Sequence, residues 1–183
     1  MHYFLFVAVI LIVSLPLSAD LYFSEYIEGS EHNKALEIYN PFSMEVNLTG
    51  YSIQLYRNGK EEAEKTLSLS GLLGGGAVYV VANKKANKAI LNVADLKTSS
   101  SVVNFNGDDT ITLNFHGKII DVIGQIGVDP GANWGTGNVS TESSTMRRKA
   151  SVITGDEQPF DAFNPALEWD GFANNTFGGL GQF

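Results

Sequence analysis

No cysteine occurs anywhere in the 183 residues. That excludes disulfide staples, a thiolate zinc site and a cysteine nucleophile, so stability has to come from a packed core. Histidine is scarce, with three in the chain, and only His32 and His116 lie beyond the N-terminal apolar run, too few for a multi-histidine transition-metal site. The chain carries no Gly-x-Ser-x-Gly elbow, and Gly74-Gly75-Gly76 lacks the Gly-Lys-Ser/Thr ending of a phosphate loop, so it reads as a turn. Positive charge is also in short supply: 12 Lys and Arg stand against 20 Asp and Glu, a formal net charge of −8. Such an acidic body repels phosphate backbones, which disfavours nucleic acid as a partner of the domain as a whole.

Before Asp20 there is no charged side chain, and Tyr3 to Leu17 is almost unbroken apolar sequence ending in Pro16-Leu17-Ser18-Ala19. The pattern predicts a signal peptide over 1–19 with cleavage after Ala19, retention as an anchor being the alternative. The apolar run is shorter than the ~20 residues a membrane helix needs. No second apolar span follows. The expected product is secreted or surface-bound, with the periplasm as a further compartment, and of a size typical for one domain.

Within that product, strand-sized runs recur at Leu21–Ile27, Ala35–Tyr39, Tyr51–Tyr56, Ala77–Ala82, Thr110–Phe115, Lys118–Ile123 and Thr145–Lys149. Tyr51, Ile53 and Leu55 alternate with Ser52, Gln54 and Tyr56, which predicts one buried face per strand. Asn58-Gly59, Asn106-Gly107-Asp108-Asp109, His116-Gly117 and Asp129-Pro130-Gly131 supply turns. One short helix is expected over Lys84–Leu91. About seven strands with little helix indicate an all-β, immunoglobulin-like antiparallel β-sandwich over 20–155. Residues 156–183, rich in glycine and aromatics, are expected to lie extended and packed on that sandwich.

The stretch from Ser24 to Pro41, SEYIEGSEHNKALEIYNP, closely resembles the start of bacterial lamin-tail domains. The likeness continues through Leu48–Tyr56, Val78–Asn83, the Phe105–Asp109 FNGDD turn, Ile120–Gly131, Trp134-Gly135, Met146–Lys149, Ala166–Phe172 and Thr176–Gly181. The resemblance implies an immunoglobulin-like sandwich with no activity of its own, a module often joined to secreted nucleases and phosphatases.

Three sets of polar and charged side chains invite a chemical reading. Glu25, Glu28, Glu31 and His32 could form a metal or acid–base cluster, but strand alternation places Glu25 with Leu21, Phe23 and Ile27 on a partly apolar face. There it needs a cation, with Lys34, Arg147 and Arg148 as the candidates. Asn106, Asp108 and Asp109 offer the loop oxygens that calcium takes, although the same residues make an ordinary tight turn. Arg147, Arg148 and Lys149 form the one dense basic run, a candidate contact for an anion or a partner, or an internal offset for carboxylates. The three Asn-x-Ser/Thr sequons matter only in a eukaryotic secretory pathway. The expectation is an exported, non-catalytic interaction module with no cofactor, binding a protein, a cell-surface polymer or, against its net charge, extracellular nucleic acid. The alternative is the targeting or substrate-binding part of a split or truncated extracellular nuclease or phosphatase.

Overall fold

A computed structural model describes residues 20–183; the expected signal peptide lies outside them. The strands are β1 (Tyr22–Glu28), β2 (Lys34–Tyr39), β3 (Val46–Asn47), β4 (Tyr51–Tyr56), β5 (Lys65–Ser68), β6 (Leu72–Leu73) and β7 (Val78–Asn83). They continue with β8 (Leu96–Thr98), β9 (Thr110–Phe115), β10 (Lys118–Ile123), β11 (Gly135–Thr136), β12 (Val139–Ser140), β13 (Ser144–Arg148) and β14 (Trp169–Ala173). Two short helices, α1 (Lys88–Val93) and α2 (Pro165–Glu168), and a single 3-10 turn at Ser101–Val103 complete the described residues.

Six strands form one sheet in the order β14-β13-β1-β2-β7-β8, and four form a second in the order β10-β9-β4-β5. Pairing is antiparallel except between β7 and β8, which α1 connects as a parallel crossover. Leu21, Phe23, Tyr26, Leu36, Ile38 and Met146 from the first sheet meet Ile53, Leu55, Ile111 and Leu113 from the second, with Phe105 and Trp169 closing the core. This is the all-β, immunoglobulin-like sandwich that the alternation predicts.

Three features depart from simple alternation. Strand β1 carries a bulge between Phe23 and Glu25 against β2. The extra residue resets the two-residue period, so Leu21, Phe23 and Tyr26 enter the inter-sheet core while Ile27 joins a different cluster. The large sheet is also covered on its outer face. Ile27, Ala35, Val80 and Ala82 pack there against Ile90 of α1 and Leu180 and Phe177 of the C-terminal segment. Every residue of β1 is consequently buried, where a single buried face was expected. The helix begins later than expected, because the Asn87 side chain accepts from Ala89 N (2.9 Å) and caps the first turn, leaving Lys84 to Ala86 as a turn.

Residues 156–183 do more than lie over the sandwich. Trp169–Ala173 pairs in register with β13, from Ser144↔Ala173 to Arg148↔Trp169, and becomes the edge strand of the large sheet. A boundary at residue 155 therefore cuts one folding unit, since β13 sits between β1 and this late strand.

Candidate functional site

The glutamates of the Ser24–Pro41 stretch are dispersed by the sheet. Glu25 faces Arg147 across the β1–β13 pair, and Arg147 Nε donates to its Oε2 at 2.9 Å. Glu28 pairs with Lys34 and accepts from Ser143 N. Glu31 and His32 sit in the exposed β1–β2 turn, Glu31 in the left-handed region at φ 55°. Of the three cations considered for Glu25, the fold selects Arg147. The bulge is the reason, because it moves Glu25 away from the face of Leu21 and Phe23.

Glu37 is the neighbour that sequence reasoning missed. It is the register partner of Glu25 on β2 and is fully buried. Its carboxylate accepts from Ser24 Oγ (2.7 Å) and from the Gly181 amide. The C-terminal segment closes over this group so tightly that a Cβ on Gly179 would come within 2.2 Å of Arg147 Nε. Burial pushes the Glu25 carboxyl up to about 7, against the pull of Arg147 and with a further push from Glu37; burial also raises Glu37, which its hydrogen bonds partly offset. Glu25 Oε1 and one terminal nitrogen of Arg147 are buried without a hydrogen-bond partner. Phe172 stacks on the Arg147 guanidinium, 4.2 Å from the ring centroid.

The basic run is likewise spent internally: of the two readings of Arg147, Arg148 and Lys149, the fold uses them as an internal offset and not as a free anion or partner contact. Arg148 is fully buried at its side chain and forms ion pairs with Asp121 of β10 and with Glu168 of α2. Its Nε donates to Phe23 O at 3.0 Å, and its guanidinium lies 4.2 Å from the Trp169 ring. Asp121 in turn accepts from Phe23 N (2.7 Å), Val122 N (3.0 Å) and Asp156 N (2.8 Å). One arginine thus joins both sheets, the β1 bulge and the C-terminal segment. Lys149 Nζ caps the carbonyls of Ala166 (2.6 Å) and Leu167 (3.3 Å). A single aspartate inside the otherwise apolar Ile119–Ile123 run was the signal in the sequence that could have exposed this network.

The FNGDD turn is an anchor between loops. Phe105 stacks on Tyr26 with centroids 4.9 Å apart. Asp109 accepts from Asn106 N (3.1 Å) and Asn58 N (3.3 Å), and Asp108 Oδ2 accepts from Asn58 Nδ2 (3.0 Å). Gly107 is required by close approach, since a Cβ there would lie 2.7 Å from Ala132 O. The Asn106 side chain is at the surface and Asp108 Oδ1 is buried without a partner. No group of three or more His, Cys, Asp or Glu that could hold a metal occurs among the described residues.

Two recesses open to solvent beside these networks. An apolar groove of about 580 Å³ runs between Tyr22, Tyr39, Pro41, Val152, Ile153 and Phe183, with Arg148 at its base. Ile153 is 58% exposed and Phe183 47%. Tyr22, Tyr39 and Phe183 pack edge to face, the last two with centroids 4.8 Å apart. A smaller polar pocket of about 200 Å³ lies at the far end of β7, beside His32 and Lys84.

With the sandwich and its anchoring turn in place, comparison with known families is decisive: residues 16–127 match the Lamin Tail Domain. The chain belongs to the lamin tail domain family. This is an immunoglobulin-like, interaction-type domain. The match ends before β13, yet the lamin tail sandwich here is completed by β13 and β14. Comparisons with curated proteins and with solved structures give no match. No helix among the described residues is long and apolar enough to cross a membrane.

Proposed function

We propose that this lamin tail domain is an exported, non-catalytic binding module that acts at the cell surface or outside the cell and carries no resident cofactor. The observation that supports a binding role is the contrast between its charged groups and its surface. Glu25, Glu28, Asp121 and Glu168 are each held by a cation within the fold, whereas the Tyr39–Ile153–Phe183 groove stands open and apolar. Apolar recesses that remain exposed on a folded surface are characteristic of contact sites. The groove suits an apolar side chain of a protein partner, with the aromatic rings of Tyr22, Tyr39 and Phe183 to pack against it. The apolar run over 1–19 supports export.

Fractionation of producing cells tests the export step: a mature N-terminus at Asp20 in the medium or envelope is expected, and retention in the cytoplasm with residues 1–19 attached contradicts it. For the binding step, the protein is cross-linked to its envelope partners in wild-type and Ile153→Asp forms. Ile153 is exposed, so the variant keeps its fold, and loss of the cross-linked species is expected. Identical cross-linking by both forms would remove the groove from the proposal.

A further inference from the structure

Lys65, Lys84, Lys85, Lys88 and Lys97 make no ion pair or side-chain hydrogen bond among the described residues, while the other lysines and all the arginines are engaged. Four of these five unpaired cations fall between residues 84 and 97, on a protein of net charge −8. The one carboxylate in that segment, Asp95, accepts from Val80 N at 2.8 Å. Unpaired positive charge is therefore concentrated at one place.

Two of the four, Lys84 and Lys85, line a pocket. Three separate segments wall it: the β1–β2 turn with His32, the turn after β7 with Lys84 and Lys85, and the residues after β8 with Ser99, Ser101 and Asn104. Its lining contains no carboxylate, although Glu31 adjoins His32 in the exposed turn. The walls are fixed by hydrogen bonds that, Asn83 apart, leave the lining side chains unused. Asn33 Oδ1 accepts from Asn87 N (2.8 Å), holding the His32 turn against the lysine turn. Lys84 N donates to Thr98 O (2.9 Å), joining the ends of β7 and β8. Asn83 accepts from Lys85 N (3.0 Å) and donates to Val103 O (3.0 Å), which shapes the floor. None of His32, Lys84, Lys85, Ser99, Ser101 or Asn104 makes a side-chain hydrogen bond within the described residues, so their donors are available to a ligand.

Topology gives an independent reason for a site here. The pocket lies just beyond the carboxyl ends of β7 and β8, the one parallel pair among the described residues. Where parallel strands are joined by a helical crossover, the chain turns away after each strand and leaves a crevice at their carboxyl ends, the place where open α/β sheets take their ligands. Two ammonium groups, hydroxyls, an amide and an imidazole around about 200 Å³ suit a compact tetrahedral oxyanion with some of its water.

We propose that this pocket binds a phosphoryl group, with Lys84 and Lys85 supplying the charge and Ser99, Ser101, Asn104 and His32 the directional hydrogen bonds. The overall negative charge disfavours a long electrostatic track, so recognition is local, one phosphoryl group at a time. The inference deepens the proposed binding role and rests on it. Turnover of phosphate esters by the protein would defeat that role alone, whereas failure of the pocket to bind would leave the groove untouched.

The test is an amide chemical-shift titration of the protein with inorganic phosphate and, separately, with an oligodeoxythymidylate as a phosphodiester probe. Expected are shifts confined to the 83–85 and 99–104 segments and to His32, saturating with either probe. Saturation with phosphate alone assigns the pocket to the free ion, and tighter binding of the oligonucleotide assigns it to a phosphodiester chain. A Lys84→Gln/Lys85→Gln variant, altered only at exposed unpaired side chains, is expected to bind at least tenfold more weakly and to lower the salt-dependence slope by about two. Lys65→Gln is expected to bind as the wild type does. No localised shift with either probe, unchanged affinity in the double variant, or an equal loss in Lys65→Gln would overturn the proposal.

Discussion

Arg148 is buried at its side chain, yet each part of its guanidinium is occupied: Asp121, Glu168, the Phe23 carbonyl and the face of Trp169 surround it. Breaking a buried pair leaves an uncompensated charge, which typically costs about 3–5 kcal/mol. Arg148→Met is expected to lose stability of that order in urea unfolding, and Arg148→Lys to recover little of it, because a single ammonium nitrogen cannot span the three separate positions from which the planar guanidinium reaches Phe23, Glu168 and Asp121. A loss under about 1 kcal/mol would contradict the network. Glu25 makes a different prediction. Its carboxyl, raised to about 7 mainly by burial, is protonated in the fold where an unfolded chain is already ionised. The stability it contributes is complete below the unfolded value near 4.5 and disappears as pH rises through about 7. The melting temperature of Glu25→Gln should therefore lack this fall between pH 4.5 and 7; a profile parallel to the wild type's would contradict it.

At the scale of elements, seven of the eight strands of five or more residues were legible because hydrophobic alternation marks them within a residue or two of their ends, as Tyr51–Tyr56 shows. The partners of Glu25 and Arg148 were less legible. A one-residue bulge in β1 reverses which face each later side chain takes, and nothing in the local pattern announces it. Strand β14 was hidden for another reason: Trp169-Asp170-Gly171-Phe172-Ala173 alternates poorly and is a strand only because β13 offers it an edge. Trp169 binds that edge strand to the core and is 1% exposed. Trp169→Ala is expected to cost about 3–5 kcal/mol, and amide exchange should show β13 and β14 opening together. Loss of β14 protection with β13 protection unchanged would show that the late strand is not part of the unit. The phosphoryl pocket was out of reach of sequence alone, since His32, Lys84 and Ser99 meet only through β1–β2 and β7–β8 pairing.

For the molecule as a whole, burial raises Glu25, Glu37, Asp109, Asp156 and Glu168 together. Glu64 is lowered, chiefly by Lys60, but its ion pairs lie at the solvent-exposed surface and weigh little. Because the raised groups favour protonation in the fold, stability is expected to increase as pH falls through about 7, where Glu25 titrates, toward its unfolded value near 4.5, which thermal melts across that range would register; a melting temperature that drops steadily over it would contradict the pattern. Calcium is expected to leave the melting temperature unchanged, since Asp109 and one oxygen of Asp108 are committed to Asn106 and Asn58; a rise that grows with calcium concentration would establish a site. The same commitment of charged groups to the scaffold underlies the reading of this lamin tail domain as a binder. Its most direct test is a turnover assay of the purified protein on phosphodiester and phosphomonoester substrates with magnesium or calcium. A rate indistinguishable from buffer is expected, and turnover that purifies with the protein and disappears in Glu25→Gln or Asp108→Asn would contradict it.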